Sequence, residues 1–101
     1  MLYNALYEFE WDDVKASANF IKHRIRFSEA VTIWCDNQAL EVPDPDHSKD
    51  DERWVRIGFS NQAKVLVVIY CEKHDGVKIR VISARKATLQ EQRQYHEKVN
   101  S

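Results

Sequence analysis

The chain has little of what marks a linker, a membrane span or a disulfide scaffold. Its 101 residues include two glycines and two prolines, too few for long flexible segments. No apolar run approaches the roughly 20 residues that cross a bilayer. The opening Met1-Leu2-Tyr3-Asn4-Ala5-Leu6-Tyr7-Glu8 carries neither a basic start nor a signal-length apolar stretch, so a cytoplasmic protein without membrane contact is expected. Cysteine is scarce too. Cys35 and Cys71 have neither CxxC nor metal spacing, which makes free thiols the expectation, with Cys71 a small buried residue in an apolar run. The four histidines, His23, His47, His74 and His96, stand at no coordinating spacing, so neither a metal site nor a cofactor is expected.

What is present is a globular composition, 44% hydrophobic and 31% charged, of a size for one domain over residues 1–101. The net charge is −1, but six of the 16 acids fall between Glu41 and Glu52 against one of the 15 bases, leaving 14 bases and 10 acids elsewhere. Lys78, Arg80, Arg85 and Lys86 cluster with no acid among them. That distribution permits contact with a polyanion without requiring it.

Periodicity predicts a strand within residues 2–11, then a helix capped by Asp12 or Asp13 with Val14, Ala18, Ile21 and Ile25 as its apolar spacing. A second short helix is expected from Ser28 to about Trp34, burying Ala30, Val31 and Trp34. Leu40–Val42 reads as a short strand, and residues 43–51 as a polar loop broken by Pro43 and Pro45. Three strands follow. Arg53–Ser60 alternates; Val65–Cys71 is almost wholly apolar and so central; Val77–Ala84 sets Val77, Ile79 and Val81 against Lys78, Arg80 and Ile82. Asn61-Gln62-Ala63 and Lys73-His74-Asp75-Gly76 suit hairpin turns. A last helix spans Leu89 to about Val99, with Thr88 and Glu91 as a capping box and a thin apolar face of Leu89, Tyr95 and Val99. The order implies an α+β fold on a mainly antiparallel sheet, with two N-terminal helices and one C-terminal helix.

Phe9-Glu10-Trp11-Asp12, Lys15, Asn19, Lys22-His23 and Phe27-Ser28-Glu29-Ala30 resemble the N-terminal half of the BrnT family. Asp46-His47, Glu52-Arg53, Ile57-Gly58, Ser60, Ile82-Ser83-Ala84-Arg85, Ala87 and Tyr95 continue the resemblance in order. It implies a RelE-like fold and a ribonuclease toxin of a type II toxin–antitoxin pair. It also implies a BrnA-like antitoxin with a ribbon–helix–helix DNA-binding part, a heterotetramer, and promoter DNA reached only through the antitoxin.

RNA is cut without metal when the 2′-hydroxyl attacks the adjacent phosphate, which needs a base, an acid and cations for the charge on phosphorus. Arg85, at the end of the last strand, is the foremost candidate, since a guanidinium grips phosphate through paired hydrogen bonds. Arg80 shares a strand face with Lys78 and suits a phosphate clamp, although a solvated face explains it equally well. Arg53 beside Glu52 reads as a catalytic cation or as a salt bridge at a strand start. His23 next to Lys22 suits acid–base work or a helix cap. Lys78, Lys86 and Trp54 are expected to bind substrate, Trp54 by stacking on a base; Phe59 is expected in the core. His47, His74 and His96 read as loop or surface residues. The competing reading from another class is a non-catalytic antitoxin-binding co-repressor module. Convergence of Arg85, Arg80, Lys22 and His23 in one open concavity would separate the two.

Overall fold

Alternating residues become strands and the capped segments become helices, in an α+β arrangement. The computed structural model describes residues 6–45, 53–73 and 76–100. In chain order the elements are β1 (Glu8–Glu10), α1 (Asp13–His23), α2 (Phe27–Ala30) running into a 3₁₀ turn (Val31–Cys35), β2 (Leu40–Pro43), β3 (Arg53–Phe59), β4 (Val65–Lys73), β5 (Lys78–Lys86) and α3 (Leu89–Val99). One sheet holds the strands in the order β1-β5-β4-β3-β2. The pairs β2–β3, β3–β4 and β4–β5 are antiparallel, whereas β1 is parallel to β5. The sheet is therefore mixed. The β2–β5 meander leaves one edge of β5 open, and β1 occupies part of it.

The apolar β4 is central, as its composition predicts. Its Leu66, Val68 and Tyr70 face Ile25, Phe27, Ile33 and Trp34 from the α1–3₁₀ region, and Ile79, Val81 and Ala84 of β5 complete this core. Trp34 meets the Tyr70 ring edge-on at 4.8 Å, a favoured aromatic geometry. Close packing extends to Gly58, where an added Cβ would stand 3.0 Å from the Cβ of Ile33. On the other face, α3 lays Tyr95 over Ile57, Val67 and Ala87 in a smaller cluster.

Both helix caps read from the sequence are present. The Asp12 carboxylate accepts from the Lys15 N–H at 3.0 Å, and Thr88 and Glu91 satisfy each other's backbone N–H groups. The apolar face expected for α1 is wrong: Val14 is 79% and Ile21 73% exposed, and Asn19 is the buried residue of the helix. At 100° per residue, Val14 and Ile21 lie roughly 140–160° around the helix from Asn19, so burying the amide turns them outward. Ile25 is buried, but beyond the helix end.

The helix expected over Ser28–Trp34 is a single α-turn followed by a 3₁₀ turn. The Thr32 hydroxyl donates to the Glu29 carbonyl at 2.6 Å, which competes with the α-helical ladder. Ala30, Val31 and Trp34 are buried as expected. Phe59 departs from its expected core position: as the last residue of β3 it stays exposed, lining a groove with Cys35 and Tyr95. Leu89 and Val99 are exposed too. Helix α3 is held instead by Tyr95, whose hydroxyl donates to Asp36 at 2.6 Å, and by Lys98, which donates to the Ala39 carbonyl at 2.9 Å.

Candidate nucleic-acid interface

Register places the chemistry-bearing residues of four strands in rows across the α3 face of the sheet. At one end Arg53, Cys71, Arg80 and Glu10 stand side by side on β3, β4, β5 and β1. The next row is Val55, Ile69 and Ser83; the third is Ile57, Val67 and Arg85. Four residues of β4 separate the outer rows, about 13 Å at strand rise. Helix α3 covers the third row, while Val55, Ile69 and Ser83 remain half-buried. The result is an apolar floor open to solvent, with Arg53 and Arg80 at one end and Arg85 at the other. Cys71 lies half-buried on this floor rather than inside the core.

A bulge makes this arrangement possible. Arg80 and Arg85 are five residues apart, which in a regular strand puts them on opposite faces. Ile69 pairs with Ser83 but Tyr70 with Val81, so Ile82 is an extra residue. Beyond it the alternation inverts: Ala84 enters the core and Arg85 joins Arg80.

Each of these two arginines has a carboxylate partner. Arg85 donates through Nη1 to Glu91 Oε1 at 2.7 Å and through Nη2 to Oε2 at 2.9 Å, with a longer Nη1 bond to the Lys86 carbonyl at 3.3 Å. Of the five guanidinium N–H donors, these bonds use three, all on the Nη1/Nη2 end. The Nε–Nη2 edge retains a second fork of the kind that matches a phosphate. The Arg85 hydrogen bonds hold the Glu91 carboxyl down at about 2 against the opposing effect of burial, and Glu91 in turn pushes the Arg85 guanidinium up. At the other end Glu10 gathers Arg80 at 3.2 Å, Lys78 at 3.3 Å and Lys73 at 3.4 Å. The Arg80 hydrogen bond is the largest reason that the Glu10 carboxyl sits below its ordinary range, with burial opposing and Lys78 and Lys73 assisting. Three cations thus share the Glu10 carboxylate, and Glu8 stands in register beside Lys78 on the same face.

Lys22 and His23 reach the neighbourhood from the side. Asn19 of α1 sets its amide against the edge of β5, donating through Nδ2 to the Ala84 carbonyl at 2.9 Å and accepting the Ala84 N–H at 3.1 Å. A further Nδ2 bond to the Ile25 carbonyl at 3.0 Å ties in the segment after the helix. Glu10 pairs with Arg80 just two residues before Asp12 caps the helix, and Asn19 meets Ala84, so α1 begins near Arg80 and runs along β5 toward Arg85. His23 follows Asn19 by one turn on the same helix face, about 6 Å farther along, or two strand residues. That places it level with the end of β5, half-buried, with Lys22 exposed beside it.

Arg53, Lys78, Arg80 and Arg85 thus share one face, and Lys22 and His23 flank its β5 edge. Trp54 and Lys86 do not join them. Trp54 points to the opposite face, packed against the main core, and Lys86 stands one residue past Arg85 with the alternate orientation. Glu52, His47 and His74 lie outside the described residues. Glu91, Glu10 and Asn19 enter the site without having been predicted in these roles. Glu91 was legible as a cap, but nothing in a strand-to-helix corner signals that it also reaches Arg85.

A family profile described as "ribonuclease toxin, BrnT, of type II toxin-antitoxin system" matches residues 11–91. No curated protein matches the chain at a significant level. Among solved structures, the crystal structure of the Brucella abortus ribonuclease toxin BrnT superposes with a TM-score of 0.63 at 26% identity, covering 81% of this chain and 97% of that one.

Proposed function

Because the chain belongs to the BrnT family of ribonuclease toxins of type II toxin–antitoxin systems, we propose that the open sheet face is where it cuts RNA, without a metal ion. The observation that carries this reading is the bulge at Ile82, which brings Arg85 onto the face that holds Arg53, Lys78 and Arg80. Arg85 then stabilises the pentacoordinate phosphorus through its remaining fork. Arg80, about 13 Å away at backbone level, holds the flanking backbone with Lys78 and Arg53. Lys22 and His23 divide the proton transfers: a base takes the 2′-hydroxyl proton as O2′ bonds to phosphorus, and an acid protonates O5′ as the P–O5′ bond breaks. The products are a 2′,3′-cyclic phosphate and a 5′-hydroxyl.

The rest of the reading follows the family. Residues 1–101 act as one RelE-like toxin domain in the cytoplasm, and RNA cleavage stops translation. A BrnA-like antitoxin with a ribbon–helix–helix part neutralises the toxin in a heterotetramer, and promoter DNA is reached only through that antitoxin. One observation favours the alternative of a non-catalytic co-repressor module: Glu91 and Glu10 already engage Arg85 and Arg80.

The test is cleavage of a defined single-stranded RNA in EDTA by the native chain and by Arg85→Ala. Cutting by the native protein, reduced at least a hundredfold in the variant, supports a metal-independent nuclease centred on Arg85. A folded, antitoxin-free native chain that leaves the RNA intact, with and without added ribosomes, would leave the co-repressor reading standing.

A further inference from the structure

At the Arg85 end of the sheet a second recess opens that the cutting chemistry does not use. Ala87 donates to the Val65 carbonyl at 2.9 Å, which places the turn joining β3 to β4 beside the end of β5. Lys64 stands three residues from Val67, the partner of Arg85, about 10 Å along the strand. This turn, the end of α1 and the start of α2 enclose a recess of about 530 Å³, lined by Phe20, Arg24, Arg26, Asn61, Gln62 and Lys64. The carboxylate in its wall is committed: Glu29 accepts from the Ser60 hydroxyl at 2.7 Å and from Lys64 at 3.4 Å. Arg24 and Arg26 differ from Arg80 and Arg85 in that neither is paired with a carboxylate among the described residues. The Arg26 guanidinium lies 4.1 Å over the Phe20 ring, and that of Arg24 stands 5.5 Å from the same centroid. Arg24 also occupies the left-handed region, at φ 60°, where glycine is the easy residue.

We infer that this recess is a subsite for the RNA flanking the cut, where Arg24, Arg26 and Lys64 hold backbone phosphate and Asn61 and Gln62 meet a base edge. The inference deepens the proposed RNA face and rests on it. Position favours RNA: Arg24 directly follows His23, so a strand leaving Arg85 past His23 arrives at Arg24 next. Contact with Phe20 fixes the Arg26 guanidinium, and a fixed fork matches the oxygens of a phosphate. The side-chain amides of Asn61 and Gln62 carry both donors and acceptors, as the reading of an unstacked base requires. Apart from Phe20 the walls are polar or charged, so a protein segment finds no desolvated apolar pocket for an anchoring side chain. Strain points the same way: an arginine kept at φ 60° forgoes the stability that glycine would supply there, as expected of a side chain retained for binding.

Two 2′-O-methyl RNA oligomers, of about four and about ten nucleotides, are titrated into the native chain and into Arg24→Gly/Arg26→Gln, with binding read by fluorescence anisotropy. Methylation blocks the attacking hydroxyl, so binding is measured apart from cutting. The native chain is expected to bind the longer oligomer at least tenfold more tightly than the shorter, and the variant to lose that gain. For the longer oligomer the salt-dependence slope of the variant is expected to be shallower by about 1.4, or roughly 0.7 for each of two phosphate contacts. Arg24→Gly alone serves if the pair misfolds, since glycine suits the backbone there: at least threefold weaker binding of the longer oligomer, with an unchanged or higher melting temperature, supports the subsite. A native-like gain with length in the variants overturns the proposal, as does a native chain that binds neither oligomer. Unchanged RNA binding with loss of antitoxin affinity, or of a native dimer, assigns the recess to a protein contact and also overturns it. A native chain that gains affinity through Arg24 and Arg26 yet never cuts RNA keeps this inference and removes the nuclease reading. A native chain that cuts RNA while the variant gains affinity just as it does removes this inference alone.

Discussion

Glu91 does two jobs with one carboxylate: it closes the capping box on Thr88 and holds the end of the Arg85 guanidinium. Glu91→Gln keeps a carbonyl oxygen for the cap and removes the charge. The expected cost at neutral pH is about 1–2 kcal/mol by urea unfolding, less than the full pKa displacement implies because Arg85 is 39% exposed and solvent screens the pair. The folded-state pKa of about 2 lies below the ordinary 4.5, so the unfolded chain binds the extra proton first. The native protein's advantage over the variant is therefore complete above pH 4.5 and fades as pH falls toward 2. Equal stabilities at pH 7 would show that the pair contributes nothing. At this scale the sequence exposed the cations, through residue type and family resemblance. It concealed their partners, because the contacts of Glu10 to Arg80 and Glu91 to Arg85 depend on register and on a corner, neither of which has a period.

Among the elements, β5 shows what alternation can and cannot convey. β1 is only three residues long and β5 runs two residues beyond Ala84, whereas the span of β3 and the central position of β4 follow from apolar spacing and the start of α3 from its capping box. The bulge does not, since a pattern read with period two assumes an unbroken strand; it assigns Arg85 to the wrong face. Helix α1 fails for a related reason, because a buried amide outcompeted Val14 and Ile21 for the inner face. Deleting Ile82 removes the extra residue and leaves Arg80 and Arg85 on the same side, so cooperative unfolding and RNA binding within about threefold of native are expected. Deleting Val68 from the regular stretch of β4 shifts one half of the strand to the wrong face, and loss of the folded circular dichroism signal is expected. Equal damage from both deletions would mean that the bulge is not a separable insertion.

For the molecule as a whole, the fold class was legible, and the parallel docking of β1 was not, since it depends on which edge of β5 the later strands leave vacant. That edge has a further consequence. β1 pairs with β5 over only Lys78–Arg80, and farther along, the main-chain groups of Ala84 are met by one side chain, Asn19, in place of a strand. An unmet strand edge is a template for another chain. Asn19→Leu therefore exposes the Ala84 N–H and C=O, and concentration-dependent oligomers that bind thioflavin T are expected by light scattering where the native chain shows none. A variant that stays as dispersed as the native chain would show that the helix body alone shields the edge. The amide of Asn19 thus stands as a stopper: it takes up the Ala84 N–H and C=O that a strand from a second toxin would need in order to carry the sheet on into a fibre.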